Sequence, residues 1–224
     1  MKNYLLWVTS ILLFGFFPFM SKGEGINQSD WYIGGSGAFS HYPSYKPVPE
    51  RGTMAPIGID VIKNGYVYSL VAGYHLNDNF RIEAEASYRK HVFDKFVLVR
   101  DLPAKNFVKG QVVQLGKSFG YVHSISYMAN VYYDYINSTN FTPFIGLGAG
   151  FVRYEERNMC GNDTRYSPAI QIMPGVSYSV TKKVNLDLGY RYYHMKDIAI
   201  KNNCLSPKIK YRTHEGLIGI RVSI

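Results

Sequence analysis

The ionisable residues of this chain recur at every second position. From Phe80 onward, Arg81, Glu83, Glu85 and Arg89 alternate with Phe80, Ile82, Ala84, Ala86 and Tyr88. Asp134 ends a second alternating run, Asp187 and Arg191 lie in a third, and Arg221 lies in a fourth. A spacing of two places such residues on one face of an extended strand and the apolar residues on the other. Buried charge is tolerated only when it is paired and hydrogen-bonded. Four basic residues (Arg81, Arg89, Arg191, Arg221) stand against four acidic ones (Glu83, Glu85, Asp134, Asp187), so the chemistry expected of them is mutual ion pairing. An ion pathway is the functional alternative.

Catalytic constellations are scarce. His123 is followed by Ser124 and Ser126, but offsets of one and three put each serine on the opposite face of a strand, so a histidine-serine pair cannot form there. The other histidines are scattered singly and are expected to be solvated or interfacial. No metal cluster, phosphate loop or nucleotide motif occurs, so the reading is of a non-enzyme without a cofactor.

The elements that must position the ionic residues are strands. Runs with period two start near Trp31 and Tyr66, at Phe80 and Ser124, at Pro143, at Ala169 and at Asn185, and a last one carries Ile218, Ile220, Val222 and Ile224 on one face. These predict about eight strands of ten or more residues, the length a tilted strand needs to cross a bilayer. Three connections are short (Asn77 to Asn79, Ile136 to Asn140, Thr181 to Lys183). Four are long: His41 to Lys63, Lys90 to Lys117, Glu155 to Tyr166 and Lys196 to Arg212. Tight turns alternating with long loops are the pattern of a transmembrane barrel, whose turns face the periplasm and whose loops face outward. The expected fold is therefore all-β, an eight-stranded antiparallel up-and-down transmembrane barrel with four long extracellular loops. A soluble lipocalin-like barrel is the structural competitor.

Composition agrees with a wall that crosses two membrane interfaces. Aromatic residues make up 16% of the chain, with 20 tyrosines and only 2 tryptophans. With eight strands the interior is about wide enough for side chains to fill, which predicts a plug in place of a water-filled channel. Gly146, Gly148 and Gly150 share the inner face and are expected to leave room for long side chains opposite.

At the amino terminus Lys2 precedes an apolar run from Leu5 to Met20, followed by Ser21 and Gly23. This predicts a cleaved signal peptide over residues 1–23 and a mature barrel domain over residues 24–224. Removing Lys2 and Lys22 from the 25 basic residues leaves 23 against 16 acidic ones, a formal charge of +7.

Charge and cysteine then fall on the long connections. The second carries Lys90, Lys95, Arg100, Lys105, Lys109 and Lys117 against Asp94 and Asp101; the fourth carries Lys196, Lys201, Lys208, Lys210 and Arg212 against Asp197, so each is +4. Lys95, Arg100, Lys105, Lys109, Lys201, Lys208 and Lys210 are the candidate contacts for an anionic partner, a sulfated glycan or an acidic host receptor. Neutralisation of outer-membrane lipid is the simpler account of the same charge, and nucleic acid is not expected. Cys160 and Cys204 lie in neighbouring connections, and in the oxidising periplasm they are expected to form a disulfide. Val97, Leu98 and Val99 form an apolar patch that extends the barrel above the membrane or contacts a partner.

The stretch from Tyr127 to Tyr154, "YMANVYYDYINSTNFTPFIGLGAGFVRY", resembles the central hairpin of opacity-type surface antigens, a family of small outer-membrane barrels that includes rickettsial surface antigens. "WYIGGSGAFS" from Trp31 resembles their first strand and "VNLDLGYRYYHM" from Val184 their penultimate one. The resemblance implies a bacterial outer-membrane location, insertion by the outer-membrane assembly machinery, and a surface-antigen or adhesin role carried by variable loops. A monomer is expected. The alternatives in function are a passive structural component and a narrow conduit for small apolar solutes.

Overall fold

A computed structural model describes residues 30–42, 58–62, 64–98, 112–114, 120–158, 161–199 and 208–224. Eight long strands make the wall: β1 (Trp31–His41), β2 (Gly65–His75), β3 (Phe80–Leu98), β4 (Gly120–Asp134), β5 (Phe141–Asn158), β6 (Gly161–Ser179), β7 (Val184–Met195) and β8 (Arg212–Ser223). Each pairs antiparallel with its neighbour in sequence, and β8 returns to β1 through the register Tyr32 to Ser223 and His41 to His214. The sheet is therefore a closed up-and-down barrel without a free edge along the wall, which removes the unpaired backbone groups that neither lipid nor water should meet.

The period-two pattern sets the faces. On β2, Tyr66, Tyr68 and Leu70 are 61%, 63% and 73% exposed while Val67 and Ser69 between them are buried. An exposed apolar exterior around a polar, buried interior is inside-out for a protein in water and right for one in a bilayer. The lipocalin-like arrangement would require the reverse. At the turn end, neighbouring strands contribute aromatic pairs to the outside of the wall: Trp31 with Tyr74, Phe80 with Tyr133 and Phe141 with Tyr178, with ring centroids 4.9, 5.2 and 4.9 Å apart. Such a girdle sits at a membrane interface.

The three tight turns close through side chains that accept backbone N–H groups. Asn77 Oδ1 accepts from the amides of Asn79 and Phe80, Asn137 Oδ1 from Thr139, and Thr181 Oγ1 from Lys183 and Val184. Asn and Thr at these positions mimic a backbone turn, which explains why they punctuate the apolar runs.

The opposite end departs from the sequence expectation. The third long connection, Glu155 to Tyr166, is not a loop: β5 continues to Asn158 and β6 begins at Gly161, with the pairing unbroken from Phe141↔Tyr178 to Asn158↔Gly161. Antiparallel pairing beyond the membrane needs no apolar face, so a ladder of Glu155, Glu156, Arg157, Asp163 and Arg165 hides a strand from a reading based on hydrophobic alternation. The second connection is likewise partly strand. The outer half of β3 is flanked by two short strands, Gly58–Ile62 and Val112–Gln114, which pair with residues between Phe93 and Leu98. Val97 and Leu98 thus lie in a sheet extension above the wall. In the fourth connection, Ile198–Ala199 pairs with Lys208–Ile209.

Candidate functional site

The inner face places seven charged side chains of β3, β4 and β7 beside two of β8, Arg221 and Glu215. Arg81 on β3 donates from Nε to Asp134 Oδ2 on β4 at 3.0 Å and approaches Glu83 at 3.4 Å. Arg191 on β7 donates to Glu85 on β3 at 2.9 Å, and Arg221 on β8 donates to Asp187 on β7 at 2.6 and 2.9 Å. Arg89 pairs with Glu215 at 2.8 Å, and Arg191 also reaches Glu215 at 3.4 Å. All eight residues read from the sequence therefore meet in the lumen, in bridges that run both along the wall and across it.

Glu215, fully buried between Arg89, Arg191 and the hydroxyl of Thr213, is the residue that sequence reasoning missed. The signal was present. Stepping back by twos from Arg221 along β8 passes Gly219, Leu217 and Glu215, but the apolar run used to recognise this strand begins only at Ile218.

Neutral donors complete the network. Tyr32 and Tyr132 donate to the two oxygens of Glu83 at 3.1 and 3.2 Å, and Ser87, Asn130 and Gln171 donate to Glu85 at 2.6, 3.0 and 2.9 Å. The Arg81 guanidinium also lies 3.7 Å from the centre of the Tyr132 ring, and that of Arg89 lies 3.9 Å from Tyr193, so aromatic faces shield both charges. A cavity of about 40 Å³ bordered by Arg81, Glu83, Tyr132 and Arg191 has room for about one or two water molecules. Gly146, Gly148 and Gly150 face Tyr132, Asn130 and Met128, their register partners on β4. The space they leave is taken first by β4, and at Gly148 also by Gln171 of β6, whose Cγ lies 2.9 Å from where a Cβ would stand.

Nearer the outer mouth the interior turns aromatic. His91 is buried, and its ring shares hydrogen bonds with Ser40 Oγ and Tyr211 Oη, both at 3.1 Å. Tyr211 packs against Tyr42 and Tyr154 with centroids 5.3 and 5.6 Å apart. His91 thus corrects the expectation of solvated or interfacial histidines: it continues the inward series Arg81 to Arg89, one step beyond the last charge.

His123 takes the other side. Ser124 and Ser126 point into the lumen with no exposed surface, whereas His123 faces outward with Nε2 3.2 Å from Glu155. The two groups that a hydrolytic pair would need are separated by the wall itself. Among the described residues no three His, Cys, Asp or Glu side chains are grouped to hold a metal ion.

Of the basic contact candidates, Lys210 is exposed next to β8, Lys95 lies in the outer half of β3 and Lys208 in a short strand. Arg100, Lys105, Lys109 and Lys201 lie outside the described residues, as do Cys160 and Cys204.

The chain is 29% identical over 164 residues to a protein of Brucella abortus, covering 64% of this chain and 57% of that protein. The chain thus spans less than two thirds of that relative. It is 27% identical over 176 residues to opacity protein opA56 of Neisseria gonorrhoeae, covering 63% and 71% of the two chains. The fold is similar to that of Neisserial surface protein A, with a TM-score of 0.56 and 21% identity over 90% of this chain and 100% of that one. A closed eight-stranded wall with an apolar exterior, and a match over residues 9–219, place this chain in the bacterial outer membrane as a member of the outer membrane protein beta-barrel domain family.

Proposed function

We propose that this barrel is a surface adhesin that recognises an anionic partner, such as a sulfated glycan or an acidic host receptor, through its basic outer connections. The observation that carries the reading is the separation of charge. Lumen arginines are matched by buried carboxylates, whereas the connections from β3 to β4 and from β7 to β8, each +3, leave the same end of the barrel with excess positive charge. Unmatched charge at a solvent-facing rim raises the local concentration of anions and speeds their encounter.

The accompanying assignments belong to the same reading. Residues 1–23 are a cleaved signal peptide, residues 24–224 are a monomeric barrel domain inserted by the outer-membrane assembly machinery, and Cys160 pairs with Cys204. A disulfide there ties the β5 to β6 tip to the β7 to β8 connection, and lowers the disorder that a binding surface must otherwise lose. The protein is not an enzyme.

The test is binding of the purified, folded protein to immobilised heparin across a salt series. A variant with Lys95, Arg100, Lys105, Lys109, Lys201, Lys208 and Lys210 replaced by Gln is measured beside it. Binding that weakens with salt and is lost in the variant supports the proposal. Binding no stronger than that of a barrel with shortened connections makes the protein a passive wall component, and apolar-solute uptake by reconstituted vesicles would make it a conduit.

A further inference from the structure

A second basic cluster lies on the outside of the wall, away from the loops. On three neighbouring strands the outward residues Lys90 (β3), His123 (β4) and Glu155 (β5) are register partners in one row. Glu155 is held by three donors: Arg157 Nε at 2.8 Å, Arg153 Nη2 at 3.2 Å and His123 Nε2 at 3.2 Å. The Tyr121 ring stacks on His123 with centroids 5.5 Å apart, with Lys90 Nζ 5.3 Å and Arg157 Cζ 5.8 Å from its centre. Two arginines and a histidine thus hold one carboxylate, with Lys90 beside them over the Tyr121 ring, and the side chains of Arg153 and Arg157 remain 46% and 50% exposed.

The height of this cluster on the barrel is informative. Ten positions along β4 separate His123 from Tyr133 of the turn-end girdle, which at about 3.4 Å per residue and a tilt of about 40° is about 25 Å, the height of the apolar band. Beneath the row, past the outward pair Ile125↔Arg153, Tyr127 and Phe151 are register partners and are 65% and 61% exposed. The cluster therefore stands where acyl chains end and the head groups of the outer leaflet begin.

We propose that Lys90, His123, Arg153 and Arg157 form a docking site for a phosphorylated lipid of the outer leaflet, its acyl chains lying on Tyr127 and Phe151. Each guanidinium carries five N–H donors, and Glu155 engages one nitrogen of each. The carboxylate fixes both planes while leaving donors for a phosphate, the geometry in which Arg binds such groups best. The excess of two positive charges supplies the attraction, and the aromatic pair below distinguishes a lipid from a soluble anion. This site is independent of the adhesin reading, which uses other residues.

Native mass spectrometry of detergent-folded protein with lipid A tests it, with phosphatidylcholine and inorganic phosphate as comparisons. Lipid A should remain bound where phosphatidylcholine does not, and the Arg153→Gln, Arg157→Gln double variant should weaken retention about tenfold or more. Arg165→Gln, an equal loss per site on β6, should leave retention unchanged. Folding is checked by heat-modifiable gel migration. If the double variant fails to fold, Arg153→Lys with Arg157→Lys keeps the charge and should still weaken retention through loss of the two-pronged contact. Equal retention by either double variant and the native chain, or displacement of lipid A by inorganic phosphate, would overturn the proposal, whereas loss of heparin binding in the loop-lysine variant with lipid retention intact bears only on the adhesin reading.

Discussion

Arg89 on β3 donates to Glu215 on β8 at 2.8 Å, and neither side chain retains any exposed surface although 126 residues separate them. The two strands are not neighbours in the wall, so this bridge crosses the lumen and ties opposite sides of the barrel together. Glu215→Ala leaves Arg89 and one contact of Arg191 unmatched in the interior, which should cost about 3–5 kcal/mol. Urea unfolding in lipid vesicles followed by tryptophan fluorescence measures it. The double variant Arg89→Met with Glu215→Gln should recover much of that loss, and a double variant no more stable than Glu215→Ala would count against the bridge as the source.

Glycines in the wall separate into two kinds. A Cβ on Gly150 would run into the backbone of β4, at the Tyr127 carbonyl and at Met128 Cα 2.8 Å away, whereas one on Gly216 would meet nothing within 4 Å. Gly150→Ala should destabilise by about 1–3 kcal/mol because the strand must shift. Gly216→Ala should change stability by less than about 0.5 kcal/mol. Paired unfolding curves check both.

The proposed disulfide has a direct chemical readout. Protein isolated from the outer membrane should take up no alkylating reagent at Cys160 or Cys204 until it is reduced, after which both react. Alkylation of two thiols without reduction, read by intact mass, would rule the bridge out.

Charge in the lumen should obstruct ions. Buried ion pairs bridge the lumen from Arg89 to Glu215 and from Arg191 to Glu85, so planar bilayers containing the protein should show no steady conductance. Open, long-lived channels in the native chain would mean that the network moves aside.

Processing is tested at the amino terminus. Mature protein from outer membranes should begin at Glu24, and a fragment ion retaining Met1 to Gly23 would refute cleavage there.

Alternation in the sequence determined the wall: which residues face lipid, which face inward, where three turns fall and that strands number about eight. It could do so because a period of two is a local property, set by the pleat and by the bilayer on one side. The eight charged positions of the lumen were legible for the same reason. Their partners were not. Which acid meets Arg89 depends on closure, which brings β8 opposite β3, and Glu215 lay just beyond the apolar run that announced its strand. Nor could apolar alternation reveal the outer ends of β3, β5 and β6, where pairing continues in water on charged residues, so a predicted loop from Glu155 to Tyr166 became a hairpin. The cluster of Lys90, His123 and Arg157 around Tyr121 needed the register of three strands, a quantity fixed by the tilt and shear of the whole barrel and absent from any single segment.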